Sequence, residues 1–359
     1  MSTTPATGSR LLTGAEAIRQ ATAEAMAADP RVVVLGLGAP DPKGIFGTTL
    51  GLQEEFGSHR VFDVPCAENA VTGIAVGMAI NGYRPILTHQ RVDFALLSVE
   101  QIVNQAAKWR YMFGGTMRVP MVIRMIVGRG WGQGPQHSQA LHAWFAHVPG
   151  LKVVLPVFPA DTRELLLLAV ADDDPVIFME HRWLHGVRGH VDQTPPSLGL
   201  GRARVVQQGK DVTIAAFSYM VLEALEAAKH LAGEGISAEV IDMRCARPLD
   251  VETLTASVRK TGRFVAADIG TGSCGMASEL VSIVSRHAYA ALQAAPEVVA
   301  LPDCPTPTSP VLSAAFYPRA PHIVAAALRT LGRPVAPSIF AVPAGVELDK
   351  PDPAFTGPF

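Results

Sequence analysis

Residues 134–147 read GPQHSQALHAWFAH and place His137, His142 and His147 at intervals of five. Imidazoles can ligate metal, carry protons near neutral pH, or pack. Five residues advance an α-helix by about 500°, so successive histidines on a helix point roughly 140° apart. Zinc ligation on one helix needs i, i+3 or i, i+4 placement, which argues against a metal site built from this run. His142 and His147 lie in the amphipathic stretch ALHAWFAH and read as packing or hydrogen-bonding groups. His137 differs, because it follows the glycine-rich loop GRGWGQGPQ after an apolar run. Loops at strand ends carry chemistry, so His137 is a candidate proton carrier.

A second place of interest is VFDVPCAENA, residues 61–70, where an apolar piece leads through Pro65 to Glu68 at the entrance of ENAVTGIAVGMAI. Glu68 has two readings. It can complement the dipole of the helix it opens, or, as an acid among apolar neighbours, share a proton with a ligand nitrogen. A third stretch, RFVAADIGTGSCGMASEL, sets Gly270, Gly272 and Gly275 in GxGxxG order between a strand and a helix. That is the order of a dinucleotide-binding turn. The turn follows the third strand of its domain, and Asp303 comes late for a ribose-binding acid. A tight glycine entry to the helix is the competing reading.

The elements that must position these residues alternate in type. RVVVLG (31–36), RPILTH (84–89), MVIRMIV (121–127), LKVVLP (151–156) and PVIFME (175–180) are near-continuous apolar runs. Parallel strands covered on both faces have this character. Helical patterns lie between them. Ser98 and Gln101 have capping-box spacing and predict a helix start at Ser98. The helix 68–80 is rich in small residues, with Gly73 and Gly77 allowing close backbone approach. Periodicity lapses over residues 191–210, read as a linker. VTIAAF (212–217), AEVIDM (238–243), RFVAAD (263–268) and EVVAL (297–301) then resume the pattern, and a helix follows around 322–331. The fold class is α/β with two doubly wound domains, spanning 1–190 and 211–335, and a Pro-rich tail over 336–359 that wraps a surface or stays loose.

Composition narrows the function. Hydrophobic residues make up 48% and charged residues 17%, an apolar balance that suggests surface buried in a partner. Net charge is −2 with scattered basic residues, which argues against nucleic acid and anionic membrane. No apolar run reaches the roughly 18 residues of a membrane span, and the first residues lack signal-peptide order. Cys66, Cys245, Cys274 and Cys304 form no CxxC pair, which fits a cytoplasmic protein without a zinc knuckle.

VFDVPCAEN, QIVNQAAKWRYMFGG, QHSQALHAWFAHVPGLKVVLP, DPVIFME and IDMRCARPLDVETL, in this order, resemble the β subunit of thiamine diphosphate-dependent 2-oxo acid dehydrogenases of the pyruvate, branched-chain and acetoin type. The resemblance implies a transketolase-like pyrimidine-binding domain followed by a transketolase C-terminal-type domain. It implies an α2β2 heterotetramer in which the α subunit holds the diphosphate and Mg²⁺, and the β subunit holds the aminopyrimidine. This chain shows no diphosphate motif, as that division of labour implies, and no metal site of its own is expected.

By the same resemblance, Glu68 is the glutamate that shares its proton with the ring nitrogen and so activates the cofactor. Phe94 is a cofactor-side aromatic, and His137 is the histidine beside the reacting centre. Arg91 departs from the pattern, since many relatives carry an aromatic there. It would clamp an anionic group in the site or pair with a partner at an interface. The implied activity is decarboxylation of a small 2-oxo acid. The acyl unit would pass to a lipoyl-bearing acyltransferase or, in a specialised pathway, to another acceptor. A split transketolase and a non-catalytic scaffold are the alternatives.

Overall fold

The computed structural model describes residues 9–128, 132–192, 194–342, 346–348 and 350. They form two compact units. The first is built from residues 9–128 and 144–200, the second from 132–143 and 201 onward.

In the first unit, six parallel strands run in the order Lys152–Val154, Val176–His181, Val122–Val127, Arg84–His89, Val32–Gly36 and Val61–Phe62. Val32–Gly36, Val122–Val127 and Val176–His181 are buried at every position, the pattern of strands covered on both faces. The helix Gly14–Ala28 opens on a reciprocal cap. The Glu16 amide donates to Thr13 Oγ1 at 3.2 Å, and the Thr13 amide donates to Glu16 Oε2 at 2.7 Å. That helix buries Ala17, Ile18, Ala21 and Met26. A two-stranded ribbon, Arg10–Thr13 antiparallel to Arg188–Val191, joins distant parts of the unit.

In the second unit, Glu297–Leu301, Phe264–Thr271, Val212–Ala216 and Ala238–Asp242 are parallel. Arg204–Gln207 adds an antiparallel edge strand from within the stretch read as linker. The α/β class holds, and all nine apolar runs form strands. Of the tail, Pro337–Phe340 is a short 3₁₀ turn. Phe340 lies 5.3 Å, ring to ring, from His322, and Arg319 donates to the carbonyls of Leu348 and Lys350.

The start expected at Ser98 is displaced. Helical structure begins at Val92, with extended Arg91 at the cap, and runs on through a 3₁₀ turn at Leu96–Ser98 and a π-helical stretch at Gln101–Ala106. Ser98 is buried, and its hydroxyl donates back to the Ala95 carbonyl at 2.9 Å. A hydroxyl satisfied by the preceding turn sits inside a helix instead of starting one.

Candidate functional site

Glu68 is the first residue of the helix Glu68–Ile80 and the acid of its first turn; Ala67 before it supplies no side-chain cap. The helix dipole therefore favours the carboxylate at this point. The side chain is half-buried and faces a cleft lined by Leu37, Val64, Pro65, Val71, Leu87 and Phe94, with Cys66, Thr88, His89 and Gln90 as further polar neighbours. The Cys66 thiol approaches Glu68 Oε1 at 3.8 Å.

The walls are held from behind. Asp63 Oδ1 accepts from the Gly38 amide at 2.8 Å and the Val64 amide at 2.9 Å, tying two rims together. Gln90 Nε2 donates to the Leu37 carbonyl at 3.0 Å. Leu37, Thr88 and Gln90 lie at or just beyond the ends of adjacent parallel strands, the edge at which open α/β sheets bind ligands.

His89, which the sequence reading passed over, is buried on the floor. Its Nε2 lies 3.3 Å from Thr72 Oγ1 and 3.4 Å from Ser98 Oγ. Burial lowers its pKa to about 4, so the imidazole is neutral at physiological pH. Thr88 Oγ1 is buried in the lining without a hydrogen-bond partner among the described residues. An apolar slot with a part-exposed carboxylate, an aromatic side chain and an unused hydroxyl suits a flat heteroaromatic ring carrying nitrogen donors and acceptors.

Arg91 does not line this cleft. It is only 2% exposed, its Nη1 donates to the Gly128 carbonyl at 2.7 Å, and its guanidinium lies 5.7 Å from the centre of the Phe46 ring. Arg182 approaches the same ring at 4.9 Å. Nearby, Arg124 makes a buried two-pronged pair with Glu180 at 2.5 and 2.9 Å, and His185 Nε2 lies 3.1 Å from the same carboxylate. Burial alone would raise the Glu180 pKa, but Arg124 and His185 outweigh it and hold it at about 2.

His137 is exposed on its loop in the second unit, and its amide donates to the Gly134 carbonyl at 3.2 Å. Residues 129–131 of that loop lie outside the described residues. The two neighbouring histidines diverge: His147 is exposed, whereas His142 is fully buried and sets its Nε2 2.8 Å from Asp268 Oδ1.

The glycine turn over 270–275 is also filled from within. The Gly270 amide donates to Asp268 Oδ1 and the Ala277 amide to Asp268 Oδ2, each at 3.3 Å. The Asp268 carboxylate thus occupies the helix N-terminus that a pyrophosphate would need. Asp303, the ribose-binding candidate, accepts a hydrogen bond from the Ser273 hydroxyl instead. Among the described residues no group of three His, Cys, Asp or Glu side chains could hold a metal ion, and no helix is long and apolar enough to cross a membrane.

Residues 11–186 match the transketolase pyrimidine-binding domain, and residues 201–323 match the transketolase C-terminal domain. The chain is 44% identical to the β subunit of an acetoin:2,6-dichlorophenolindophenol oxidoreductase from Cupriavidus necator, over 88% of this chain and 96% of that one. It belongs to the transketolase-like β subunits of the 2-oxo acid dehydrogenases. To another member, the mitochondrial pyruvate dehydrogenase E1 component subunit beta-1 of Oryza sativa subsp. japonica, it is 42% identical over 90% of this chain and 88% of that one. Among solved structures, a split-gene transketolase described as an inactive β4 tetramer superposes with a TM-score of 0.74 at 28% identity, covering 89% of this chain and 99% of that one. Thiamine diphosphate is the cofactor of this family of β subunits.

Proposed function

We propose that this chain is the β subunit of a cytoplasmic, heteromeric thiamine diphosphate-dependent enzyme that decarboxylates a small 2-oxo acid and passes on the acyl unit. The observation that carries the reading is the half-buried carboxylate of Glu68 at a helix N-terminus, facing an apolar cleft beside Phe94. Nothing in the cleft's own architecture uses that acid fully. Its one described side-chain contact is with the Cys66 thiol.

In this reading Glu68 holds the aminopyrimidine ring by sharing a proton with a ring nitrogen, while Leu37, Val64 and Phe94 keep water from its faces. When bound, thiamine diphosphate supplies the electron sink for decarboxylation. His137 carries a proton to or from the reacting centre, or orients the acyl acceptor. An α subunit supplies the diphosphate and Mg²⁺ contacts, in an α2β2 assembly that explains the apolar composition. The acyl unit passes to a lipoyl-bearing acyltransferase or, in a specialised pathway, to another acceptor. Arg91 is held by the Gly128 carbonyl, and a direct role in clamping substrate would require it to leave Gly128.

Calorimetry with thiamine diphosphate and Mg²⁺ tests this, on the chain alone and mixed with an α subunit of the acetoin or pyruvate class. Binding only in the mixture, lost in Glu68→Ala, is the expected result. Tight binding by the chain alone would overturn the division of labour, and no binding to a stable complex would favour a scaffold. The split-transketolase likeness favours a second reading, ketol transfer between sugars. Turnover with sugar phosphates but not with 2-oxo acids or acetoin would establish it.

A further inference from the structure

The dinucleotide-like glycine turn has been left without a ligand, and the loop carrying His137 without an anchor. One pair of residues connects the two. His142 follows His137 by five positions, opens a short helix at the end of the loop, is fully buried, and meets Asp268, itself fully buried within the strand Phe264–Thr271.

The glycines make room for this contact. A Cβ on Gly270 would lie 3.1 Å from His142 Cε1, 3.5 Å from the Ala140 carbonyl oxygen and 3.6 Å from Asp268 Oδ2. A Cβ on Gly275 would run into the Thr271 carbonyl and also reach 3.6 Å from Asp268 Oδ2. The turn thus wraps a carboxylate and receives the loop. The loop is touched a second time upstream, where a Cβ on Gly134 would collide with the Thr308 hydroxyl. His137 lies between these two points of contact, both within the second unit.

The energetics favour a role in geometry. Desolvating a carboxylate and an imidazole is costly, and buried pairs of this kind add little net stability compared with apolar packing. Burial alone would raise the Asp268 pKa. The neighbouring His142, with the Gly270 and Ala277 amides, outweighs that and holds it below the ordinary carboxylate value. The acceptor therefore stays charged and directional, fixed by two backbone donors that do not move with the loop.

We propose that Asp268 is a positioning residue that acts through His142 to fix the loop bearing His137. The catalytic part of this inference rests on the reading of His137 given above; the anchoring part does not. It also assigns the GxGxxG turn a role: a socket for the protein's own loop.

The test compares His142→Ala, His142→Gln and Asp268→Asn with the parent chain. Amide hydrogen exchange over residues 132–146 is followed by mass spectrometry on the chain itself. Acetoin-dependent reduction of 2,6-dichlorophenolindophenol is followed in the complex with an α subunit. His142→Ala is expected to speed exchange in this segment about fivefold or more while leaving the strands of the second unit protected. It should lower kcat about 10- to 100-fold, as a displacement of about 1 Å can, with thiamine diphosphate affinity within twofold. His142→Gln, which restores a donor, should recover most of both. Unchanged exchange in His142→Ala would overturn the anchor, even if Asp268→Asn fails to fold. Loosened exchange with unchanged kcat would overturn the catalytic role. A parent complex with no 2-oxo acid or acetoin activity would count against the proposed function, and the exchange result would still decide the anchor.

Discussion

Two acids stand at helix entrances in this molecule, and they are used in opposite ways. Glu68 opens the helix Glu68–Ile80 and points, half-buried, into a cleft. Asp268 sits below the helix Met276–His287, fully buried, with two backbone amides and an imidazole on its oxygens. The same dipole stabilises both. A carboxylate whose hydrogen bonds come from its own chain is a structural group, whereas one left facing an apolar cavity is available to a ligand. At the glycine fingerprint, the tight helix entry weighed against a dinucleotide site encloses the Asp268 carboxylate, because sequence shows that a turn is tight but not what the turn encloses.

The comparison can be broken most sharply at Glu68. Glu68→Gln should lower turnover about 10²- to 10⁴-fold, the range of a lost acid–base group, while shifting stability by no more than about 1 kcal/mol, the scale of a helix-dipole charge. Steady-state kinetics beside thermal melting would check this, and a large loss of stability with turnover intact would make Glu68 a cap. His137→Ala should lower turnover by about 10²-fold or more with no change in melting, since the side chain is exposed.

Acidification sharpens the contrast between the units. His89 has a folded pKa of about 4 and His181 of about 3, both lowered first by burial. An unfolded histidine titrates near 6.5, so between these values the unfolded chain binds more protons. Stability is therefore fully present above pH 6.5 and is lost as pH falls toward 4. For His89 alone the loss is about 3 kcal/mol, from the unit cost of a pKa shift. Chemical denaturation from pH 7 to 4.5 should show the first unit weakening, and His89→Gln should flatten the dependence. Arg91 gives the smallest effect. Its buried bond to Gly128 predicts that Arg91→Ala costs about 1–3 kcal/mol of stability with KM for the 2-oxo acid unchanged. A raised KM at constant stability would restore the substrate clamp.

Legibility from sequence followed burial. Most of the nine apolar runs were readable because strands covered on both faces must be apolar throughout; the edge strand Glu297–Leu301, only partly buried, was apolar without that cover. The place of Glu68 at a helix entrance was readable because Pro65 and the small residues after it mark that entrance, whereas its role toward a ligand came only from the family resemblance. Ser98 misled, since capping-box spacing does not reveal that the hydroxyl is already bonded to Ala95. The ribbon Arg10–Thr13 with Arg188–Val191 was hidden because each half is short and one lies beside a Gly- and Pro-rich stretch. His89 was hidden inside a strand, and the His142–Asp268 pair was hidden by distance along the chain, which no local period records.

The excursion of residues 132–143 into the second unit bears on how the chain can be divided. No single cut separates the two units, because the first is interrupted by a segment that belongs to the second. A fragment ending at residue 200 would carry His142 without Asp268. It would present to solvent a loop whose socket had been left on the other piece. Any attempt to express the halves separately, or to exchange one half between relatives, has to move that segment with the second unit and rejoin the first across the gap.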